Sequence, residues 1–287
     1  MNRIAIIDIG SNSVRYMEAE HTETGVLSFG KDLNTTRLAE GQDEARRLQP
    51  EPVRRTADAI LSYAKLAKER GVPAYAYATS ALREASNRDA LLSLVGDAVP
   101  LEILSGADEG RMAYRGATGG RGTLIDIGGG SFQVVTSSGA FSAPIGAVRF
   151  RDRCPNGSPE ELWQIICPWA DGYLADPKPA ELPVTGVGGT ITTLAALLAG
   201  MRVYDREALK NATLTRTALL PLLELLYAMG EERRAQHPLL KRRYNIILQG
   251  GTILRCLMER LSIPSLSPSD RDGMEGYAEE IFARMGK

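Results

Sequence analysis

Apolar residues recur in short runs through the first half of the chain, and longer segments with helical spacing separate these runs. Residues 2–9, 14–19, 25–30, 74–78 and 101–104 have the length and apolar character of strands. Between 52 and 70 the apolar positions lie near one helical face and Gly71 follows, which predicts an amphipathic helix. Shorter helices are predicted near 86–95 and 107–117. This order of elements is typical of an α/β domain.

The second half of the chain repeats the start of the first. Residues 7–13 read IDIGSNS and residues 125–131 read IDIGGGS, so five of seven positions are identical. Each copy lies between two predicted strands, and a glycine-rich segment at 116–122 separates the halves. Later helices are predicted near 159–173, 188–198, 215–229 and 244–261, with a Pro/Ala-rich linker at 176–183 and a last helix ending near 285. The repeat predicts a duplication that gives two related α/β domains with a cleft between them.

Composition and charge exclude several classes of protein. A length of 287 residues predicts about two domains, and the net charge of −1 excludes a globally basic nucleic-acid binder, so no DNA-specific partner is expected. No apolar run has the length of a signal peptide or a membrane span, which predicts a cytoplasmic protein without a membrane partner. Two histidines and three widely spaced cysteines form no metal cluster or disulfide framework, so acid–base chemistry is expected to depend on carboxylates.

Both glycine-rich repeats combine residue types that suit phosphate binding. Glycines allow tight turns and expose backbone N–H groups, serines add hydroxyl donors, and an aspartate at the strand end can hold a divalent cation. Ordinary hairpin turns would not require the same aspartate and serine twice. The predicted phosphate-binding residues of the two loops are Asp8, Gly10, Ser11, Asn12, Ser13, Gly128, Gly129, Gly130 and Ser131, and the predicted metal ligands are Asp8 and Asp126.

A third glycine-rich segment, TGVGGT at 185–190, precedes a predicted helix. Backbone N–H groups at a helix N-terminus bind anions, which makes Gly188, Gly189 and Thr190 candidate phosphate ligands. The alternative is that the glycines only let this helix pack closely on a strand, and the sequence is equally consistent with it.

Two charged residues follow predicted strands. Arg83 comes after the strand at 74–78 and suits bidentate phosphate binding, with a solvated surface arginine as the alternative. Glu109 lies in the segment SGADEGR at 105–111, at the start of a helix. It is either a general base acting on water or an acidic residue that favours the helix N-terminus.

Together these segments resemble the exopolyphosphatase/guanosine pentaphosphate phosphohydrolase (Ppx/GppA) family, in the sugar kinase, actin and heat-shock ATPase superfamily. The matching motifs cover almost the whole chain, at 8–13, 36–38, 78–83, 103–111, 125–131, 186–190, 243–251 and 269–276. The resemblance implies the short form, an α/β fold of two duplicated actin-like (ribonuclease H-like) domains. Domain I would span 1–119, with the C-terminal helix at about 270–287 packing back on it, and domain II would span 120–269.

The resemblance also implies roles for single residues. Glu109 matches the base that activates water, Asp126 the metal-associated carboxylate, Asp8 its counterpart in the first domain, and Arg83 a substrate clamp. Mg²⁺ or another divalent cation is the implied cofactor, and polyphosphate or a phosphorylated guanosine nucleotide is the implied substrate. Homodimers are common in such a family.

Two positions depart from the family pattern. Gln133 stands where the family has a second active-site glutamate, and a glutamine carries no charge and takes no proton. Gly273 and Met274 stand where the family has Leu-Arg. We therefore expect an exopolyphosphatase with Glu109, Asp126 and Gln133 at its catalytic centre. The alternatives are a guanosine pentaphosphate or nucleotide phosphohydrolase, and a polyphosphate- or nucleotide-binding protein whose catalysis is weakened by Gln133.

Overall fold

The chain divides into two compact units in a computed structural model that describes residues 2–23, 25–42, 44–174 and 179–286. Unit 1 comprises Met1–Gly116 and Gly273–Lys287, and unit 2 comprises Ala117–Asp272. The chain leaves unit 1 at the glycine-rich segment that separates the two sequence repeats and returns to it for its last helix. Among the described residues, no helix is long and apolar enough to cross a membrane.

The secondary structure mixes strands and helices throughout. Up to residue 118 the elements are β1 (Arg3–Ile9), β2 (Val14–Thr22), β3 (Gly25–Asn34), α1 (Pro50–Glu69), β4 (Ala74–Ala78), α2 (Ser80–Glu84), α3 (Asp89–Val95), β5 (Leu101–Ile103) and α4 (Gly106–Thr118). The remaining elements are β6 (Thr123–Ile127), β7 (Phe132–Thr136), β8 (Gly139–Ala143), α5 (Ala147–Arg153), α6 (Pro159–Asp171), β9 (Val184–Val187), α7 (Gly189–Leu198), α8 (Arg206–Leu209), β10 (Leu214–Thr215), α9 (Arg216–Met229), α10 (Glu231–Gln236), α11 (Ile247–Arg260), β11 (Ser265–Pro268) and α12 (Gly273–Arg284).

Unit 1 is built on a five-stranded sheet of order β3-β2-β1-β4-β5. Strands β1, β2 and β3 pair antiparallel, whereas β4 is parallel to β1 and β5 is parallel to β4. Every residue of β1 after Arg3 is buried. A buried strand with an apolar run such as Ile4–Ile7 is typical of a central strand that is covered on both faces, which places the loop after β1 at the middle of the sheet edge.

Unit 2 repeats this topology. Its sheet has the order β10-β11-β9-β6-β7-β8, with β6, β7 and β8 antiparallel and β9 and β11 following in parallel. Apart from β10, each strand has a counterpart in unit 1, and the loop between β6 and β7 corresponds to the loop between β1 and β2. The two copies of the sequence motif therefore occupy the same place in two related sheets.

The elements that the sequence pattern missed are short. Strand β11 takes the sheet position that β5 has in unit 1, but its sequence is SLSP. Two serines and a proline give no strand pattern, and only pairing with β9 and β10 defines the strand. The sequence pattern does not predict helices α2, α5, α8 and α10, because each is too short to show a helical repeat of apolar positions. The predicted linker at 176–183 lies partly outside the described residues.

The last helix is anchored in unit 1 by a buried charge. The Glu275 carboxylate is fully buried and lies 2.6 Å from Lys31 Nζ, and it accepts a hydrogen bond of 2.7 Å from Ser28 Oγ, both on β3. Met274, where the family pattern has an arginine, is buried in the apolar core of the same unit with Tyr77 and Tyr277. This position therefore contributes packing to unit 1 and carries no charge.

Gly276 permits the close contact between α12 and α4. A Cβ at this position would overlap the backbone carbonyl of Met112, whereas a Cβ at Gly273 would make only ordinary contacts at 3.4 Å and beyond. We expect Gly276→Ala to lower the free energy of unfolding by about 1–3 kcal/mol, because overpacking forces two backbones apart. Urea unfolding measures the change, with Gly273→Ala as the matched control in the same helix. Equal stability of the two variants would contradict the close contact.

Candidate active site

The two glycine loops adopt the same turn. In unit 1 the N–H of Gly10 donates to the carbonyl of Ser13 at 3.0 Å, and in unit 2 the N–H of Gly128 donates to the carbonyl of Ser131 at 2.9 Å. A Cβ on either glycine would lie 3.2 Å from that serine carbonyl. The common turn is tight enough to favour glycine at both positions.

The loop in unit 2 presents unpaired N–H groups. Its carbonyls at Gly128 and Gly129 accept hydrogen bonds of 2.8–3.1 Å from Ala147, Val148 and Arg149, at the start of α5. In a trans peptide the N–H points opposite to the carbonyl before it, so the N–H groups of Gly129 and Gly130 face away from α5. Within the described chain, neither N–H has an acceptor. Such consecutive donors form a cradle for an anion.

The loop in unit 1 is supported in a comparable way by the segment after β3. The carbonyl of Ser11 accepts a hydrogen bond of 3.0 Å from Ala39 N–H, and the carbonyl of Asn12 accepts one of 2.8 Å from Arg37 N–H. The side chain of Ser11 is buried and lies 3.0 Å from Ser80 Oγ, at the start of α2. The N–H groups of Asn12 and Ser13 are therefore directed away from the supporting segment.

The two strand-end aspartates have different neighbours. Asp8 is paired in register with Arg15 across β1 and β2, and the Arg15 guanidinium contacts the Asp8 carboxylate at 2.5 and 2.6 Å. Asp126 is paired in the same way with Gln133 across β6 and β7. The carboxylate in unit 1 thus faces a cation, whereas its counterpart in unit 2 faces a neutral amide.

Gln133 has an unsatisfied oxygen. The side chain is 1% exposed, and its amide nitrogen donates to Ser131 Oγ at 3.0 Å. Its amide oxygen is buried without a hydrogen-bond partner. A buried acceptor without a donor costs free energy, so a cation or a donor from a ligand at this place would satisfy it.

Glu109 lies in the first turn of α4, where Ser105 caps the helix and the neighbouring acidic residue, Asp108, binds Ser105. Ser105 Oγ accepts from the N–H of Asp108 at 3.1 Å, and the Asp108 carboxylate binds Ser105 Oγ and Arg111. The Glu109 carboxylate instead accepts a hydrogen bond of 3.1 Å from Arg83 Nη1, which also donates to the carbonyl of Leu104 at 2.9 Å. Because the Asp108 carboxylate binds the capping Ser105 and the Glu109 carboxylate does not, the sequence alternative of a purely N-terminal role fits Asp108 better than Glu109.

Burial raises the pKa of Glu109 to about 7, although the Arg83 guanidinium opposes the rise. The negative charge of Asp8 contributes further to it. The side chains of Arg83 and Glu109 are 22% and 16% exposed, so this arginine is not a freely solvated surface residue. A carboxylate with a pKa near neutrality is well suited to accept a proton from water.

The glycines before α7 serve two purposes. A Cβ at Gly186 would come within 2.9 Å of side-chain atoms of Ile191 and Leu266, which supports the close-packing alternative for that residue. A Cβ at Gly189 would overlap the Arg243 guanidinium, so this guanidinium lies directly over the first residue of α7. Thr190 is buried and faces Gly250. The N-terminus of α7 therefore combines backbone donors with an arginine.

Arg243 is the residue that sequence reasoning underestimated. It belongs to the run Lys241-Arg242-Arg243, which is usually a solvated helix face. Its charge makes the run a candidate cationic path for a polyanion, and 243–251 matches a family motif, but nothing in the spacing indicates that Arg243 reaches Gly189.

Comparisons with known proteins show what the chain is similar to. A model of the Ppx/GppA phosphatase family matches residues 18–282. Exopolyphosphatase 2 of Mycobacterium tuberculosis is 31% identical over 97% of this chain and 98% of its own length. The crystal structure of the Aquifex aeolicus Ppx/GppA family member is 28% identical, with a TM-score of 0.80 over 100% of this chain and 99% of that one. A guanosine-5'-triphosphate,3'-diphosphate pyrophosphatase of Vibrio vulnificus is 26% identical over 92% of this chain and 50% of its own. The expected α/β fold with actin-like units is confirmed.

Proposed function

The chain belongs to the Ppx/GppA phosphatase family, and from this premise we propose that it is an exopolyphosphatase. It hydrolyses the terminal phosphate of inorganic polyphosphate. The observation that carries the proposal is Glu109, a partly buried carboxylate with a pKa of about 7 that Arg83 holds in position. The near full-length similarity to a mycobacterial exopolyphosphatase supports the choice of substrate.

The proposed reaction is an attack of water on the terminal phosphorus. The water oxygen bonds to phosphorus, the bond to the bridging oxygen breaks, and the shortened chain leaves with that oxygen. Glu109 takes the proton from the attacking water. Phosphoryl transfer requires positioning and charge neutralisation more than covalent catalysis. Within unit 2, the N–H groups of Gly129 and Gly130, the N-terminus of α7 and Arg243 supply donors and positive charge.

A divalent cation fits the residues of the second loop. The Asp126 carboxylate and the unsatisfied amide oxygen of Gln133 are hard oxygen ligands of the kind that Mg²⁺ prefers. Mg²⁺ is commonly held by one or two carboxylates together with substrate phosphate oxygens and waters, which would complete its coordination here. The bound ion would neutralise charge on the phosphoryl oxygens. We assign Asp126 as its carboxylate ligand, because Arg15 already neutralises Asp8.

We expect Gln133→Glu to increase the affinity for Mg²⁺ and to raise activity about tenfold at limiting Mg²⁺, because a carboxylate binds the cation better than an amide. Titration of thermal stability with Mg²⁺, in parallel with phosphate release, measures both effects. An unchanged Mg²⁺ dependence would show that Gln133 is not a ligand. Turnover that appears only in the variant would favour the alternative of a binding protein with weakened catalysis.

The substrate is tested by comparing kcat/KM for long-chain polyphosphate, guanosine pentaphosphate and ATP under the same conditions. We expect the highest value for polyphosphate. A higher value for guanosine pentaphosphate would favour a guanosine pentaphosphate phosphohydrolase, the second candidate, which the Vibrio vulnificus relative supports.

A cytoplasmic location and a homodimer are proposed with the same family as support. Cell fractionation and analytical ultracentrifugation test them.

A further inference from the structure

A buried arginine lies beside the segment that carries Arg243. Arg234 is on α10 and is 6% exposed. Its Nη1 donates to the carbonyl of Leu226 at 2.7 Å, and its Nε donates to the carbonyl of Tyr244 at 2.9 Å. The guanidinium therefore joins α9 to the segment at 237–246, which connects α10 to α11 and consists of turns.

The two carbonyls explain why a charged residue is buried here. A guanidinium inside a protein loses the solvation of its charge, and Glu231, with which Arg234 pairs, lies 4.0 Å away and also contacts Arg151 at 3.1 Å. An apolar side chain of similar length would fill the same space at lower cost. The carbonyl of Leu226 belongs to the last turn of α9, where carbonyls have no acceptor role inside the helix, and Arg234 provides its donor.

The bond to Tyr244 fixes the backbone next to Arg243. The N–H of Arg243 donates to the carbonyl of Leu240 at 2.7 Å, and its own carbonyl accepts from the N–H of Ile247 at 2.9 Å. These two bonds connect Arg243 only to its own segment and to the start of α11. The bond from Arg234 adds a connection to α9, so the backbone is held from a second side.

The side chain of Arg243 depends on this backbone for its place. A Cβ at Gly189 would lie 1.7 Å from Arg243 Nη2, so the guanidinium occupies the space that a side chain at 189 would take. Gly189 is the first residue of α7, whose N-terminal N–H groups are suited to bind a phosphate. If the backbone at 243 shifts, the positive charge leaves the end of this helix.

We propose that Arg234 is a positioning residue, which holds the segment at 237–246 so that the Arg243 guanidinium stays over the N-terminus of α7. The inference rests on the proposed function, in which Arg243 supplies positive charge, and adds a residue that acts through Arg243. All of these residues belong to unit 2.

A cycle of substitutions tests the inference, with a matched control on the same helix. Arg234→Met removes both hydrogen bonds but keeps an unbranched side chain, Arg243→Met removes the positioned guanidinium, and Arg233→Met removes the same charge from an exposed neighbour. We measure kcat/KM for polyphosphate in each variant and in the double variant at 234 and 243. The rate at which phenylglyoxal modifies Arg243, followed by peptide mass spectrometry, gives a readout that needs no substrate.

We expect the single substitutions at 234 and 243 each to lower kcat/KM about tenfold, and the double variant to lose no more than Arg243→Met alone, because Arg234 acts through Arg243. Phenylglyoxal should modify Arg243 at least about fivefold faster in Arg234→Met, because the released segment opens more often. Arg233→Met should leave both measurements unchanged.

A double variant whose kcat/KM falls about 100-fold, the product of the two single effects, would overturn the inference. An unchanged rate of Arg243 modification in Arg234→Met, or an equal effect of Arg233→Met, would overturn it as well. If Arg234→Met does not fold, Arg234→Lys replaces it; a lysine keeps the charge without the planar geometry that reaches two carbonyls, and the same lack of additivity is expected. If Arg243 modification follows the expectation but the unsubstituted protein releases no phosphate from polyphosphate, the proposed function fails while Arg234 keeps its positioning role.

Discussion

Replacing Glu109 by glutamine is expected to lower kcat for phosphate release by at least about 100-fold, with KM changed less than about threefold. General base catalysis contributes about 10²–10⁴ to such reactions, and glutamine keeps the size and the hydrogen-bonding capacity of the side chain but takes no proton. Steady-state phosphate release from long-chain polyphosphate measures the loss. Asp108→Asn is the matched control, because Asp108 lies one residue earlier and binds Ser105 and Arg111 instead. Similar losses in both variants would remove Glu109 from the role of base.

The pH dependence of phosphate release by the unsubstituted protein should follow the titration of the Glu109 carboxyl. With a pKa of about 7 in the protein without substrate, kcat/KM should rise with pH, approaching tenfold per unit well below pH 7, and level off above it. This rise should be absent from the residual activity of Glu109→Gln. A pH-independent kcat/KM between pH 5 and 8 would contradict the assignment.

The free energy of unfolding should fall as pH rises, whereas the activity should increase. Because the folded-state pKa lies above the ordinary 4.5, the folded protein binds the proton more tightly than the unfolded chain. The stability from this group is present below about pH 4.5 and is lost as pH rises through about 7, by about 3 kcal/mol. Glu109→Gln should therefore become more stable relative to the unsubstituted protein as pH rises from 4.5 to 8. Urea unfolding at both pH values measures the difference.

Gly146→Ala is expected to lower both the activity of the protein and the stability of unit 2. A Cβ at Gly146 would overlap the backbone of Gly129 and lie 2.5 Å from the nitrogen of Gly130. The backbone angles of Gly146 (φ −137°) suit any residue. The substitution therefore tests only the steric overlap between the new Cβ and the second loop. The loop must move, and a displacement of about 1 Å can lower the rate 100-fold. We expect kcat/KM to fall about 100-fold and the free energy of unfolding to fall by about 1–3 kcal/mol.

The control for this variant is Gly139→Ala, at the hairpin between β7 and β8, where a Cβ would meet nothing within 4 Å. Phosphate release and urea unfolding are measured for both variants. Activity of Gly146→Ala close to that of Gly139→Ala would show that the second loop does not need the support of α5.

The duplicated fold was predictable because both copies retain the aspartate, the glycine and the serine between apolar strands. The pairing of Asp8 with Arg15 was also available in the sequence. A turn at 10–13 pairs Ile9 with Val14, and therefore Asp8 with Arg15, across the hairpin. That register would have shown that Asp8 faces a cation and that Asp126 faces Gln133.

The supports of the loops were not predictable, because they come from segments that only the folded chain brings close. The contact of Gly146 with Gly129 depends on the return of β8, and the position of Arg243 over Gly189 depends on the approach of 243 to the start of α7. The left-handed backbone of Arg37 has no signal in its local sequence. Such close approaches are set by tertiary packing and not by propensity.

The central claim is terminal hydrolysis of polyphosphate with Glu109 as the base. The most direct test follows the products formed from end-labelled long-chain polyphosphate with Mg²⁺, for the unsubstituted protein and for Glu109→Gln. The account predicts orthophosphate as the first product of the unsubstituted protein, chains that shorten one phosphate at a time, and almost no product from the variant. Absence of orthophosphate from the folded, unsubstituted protein, or equal release by Glu109→Gln, would contradict it.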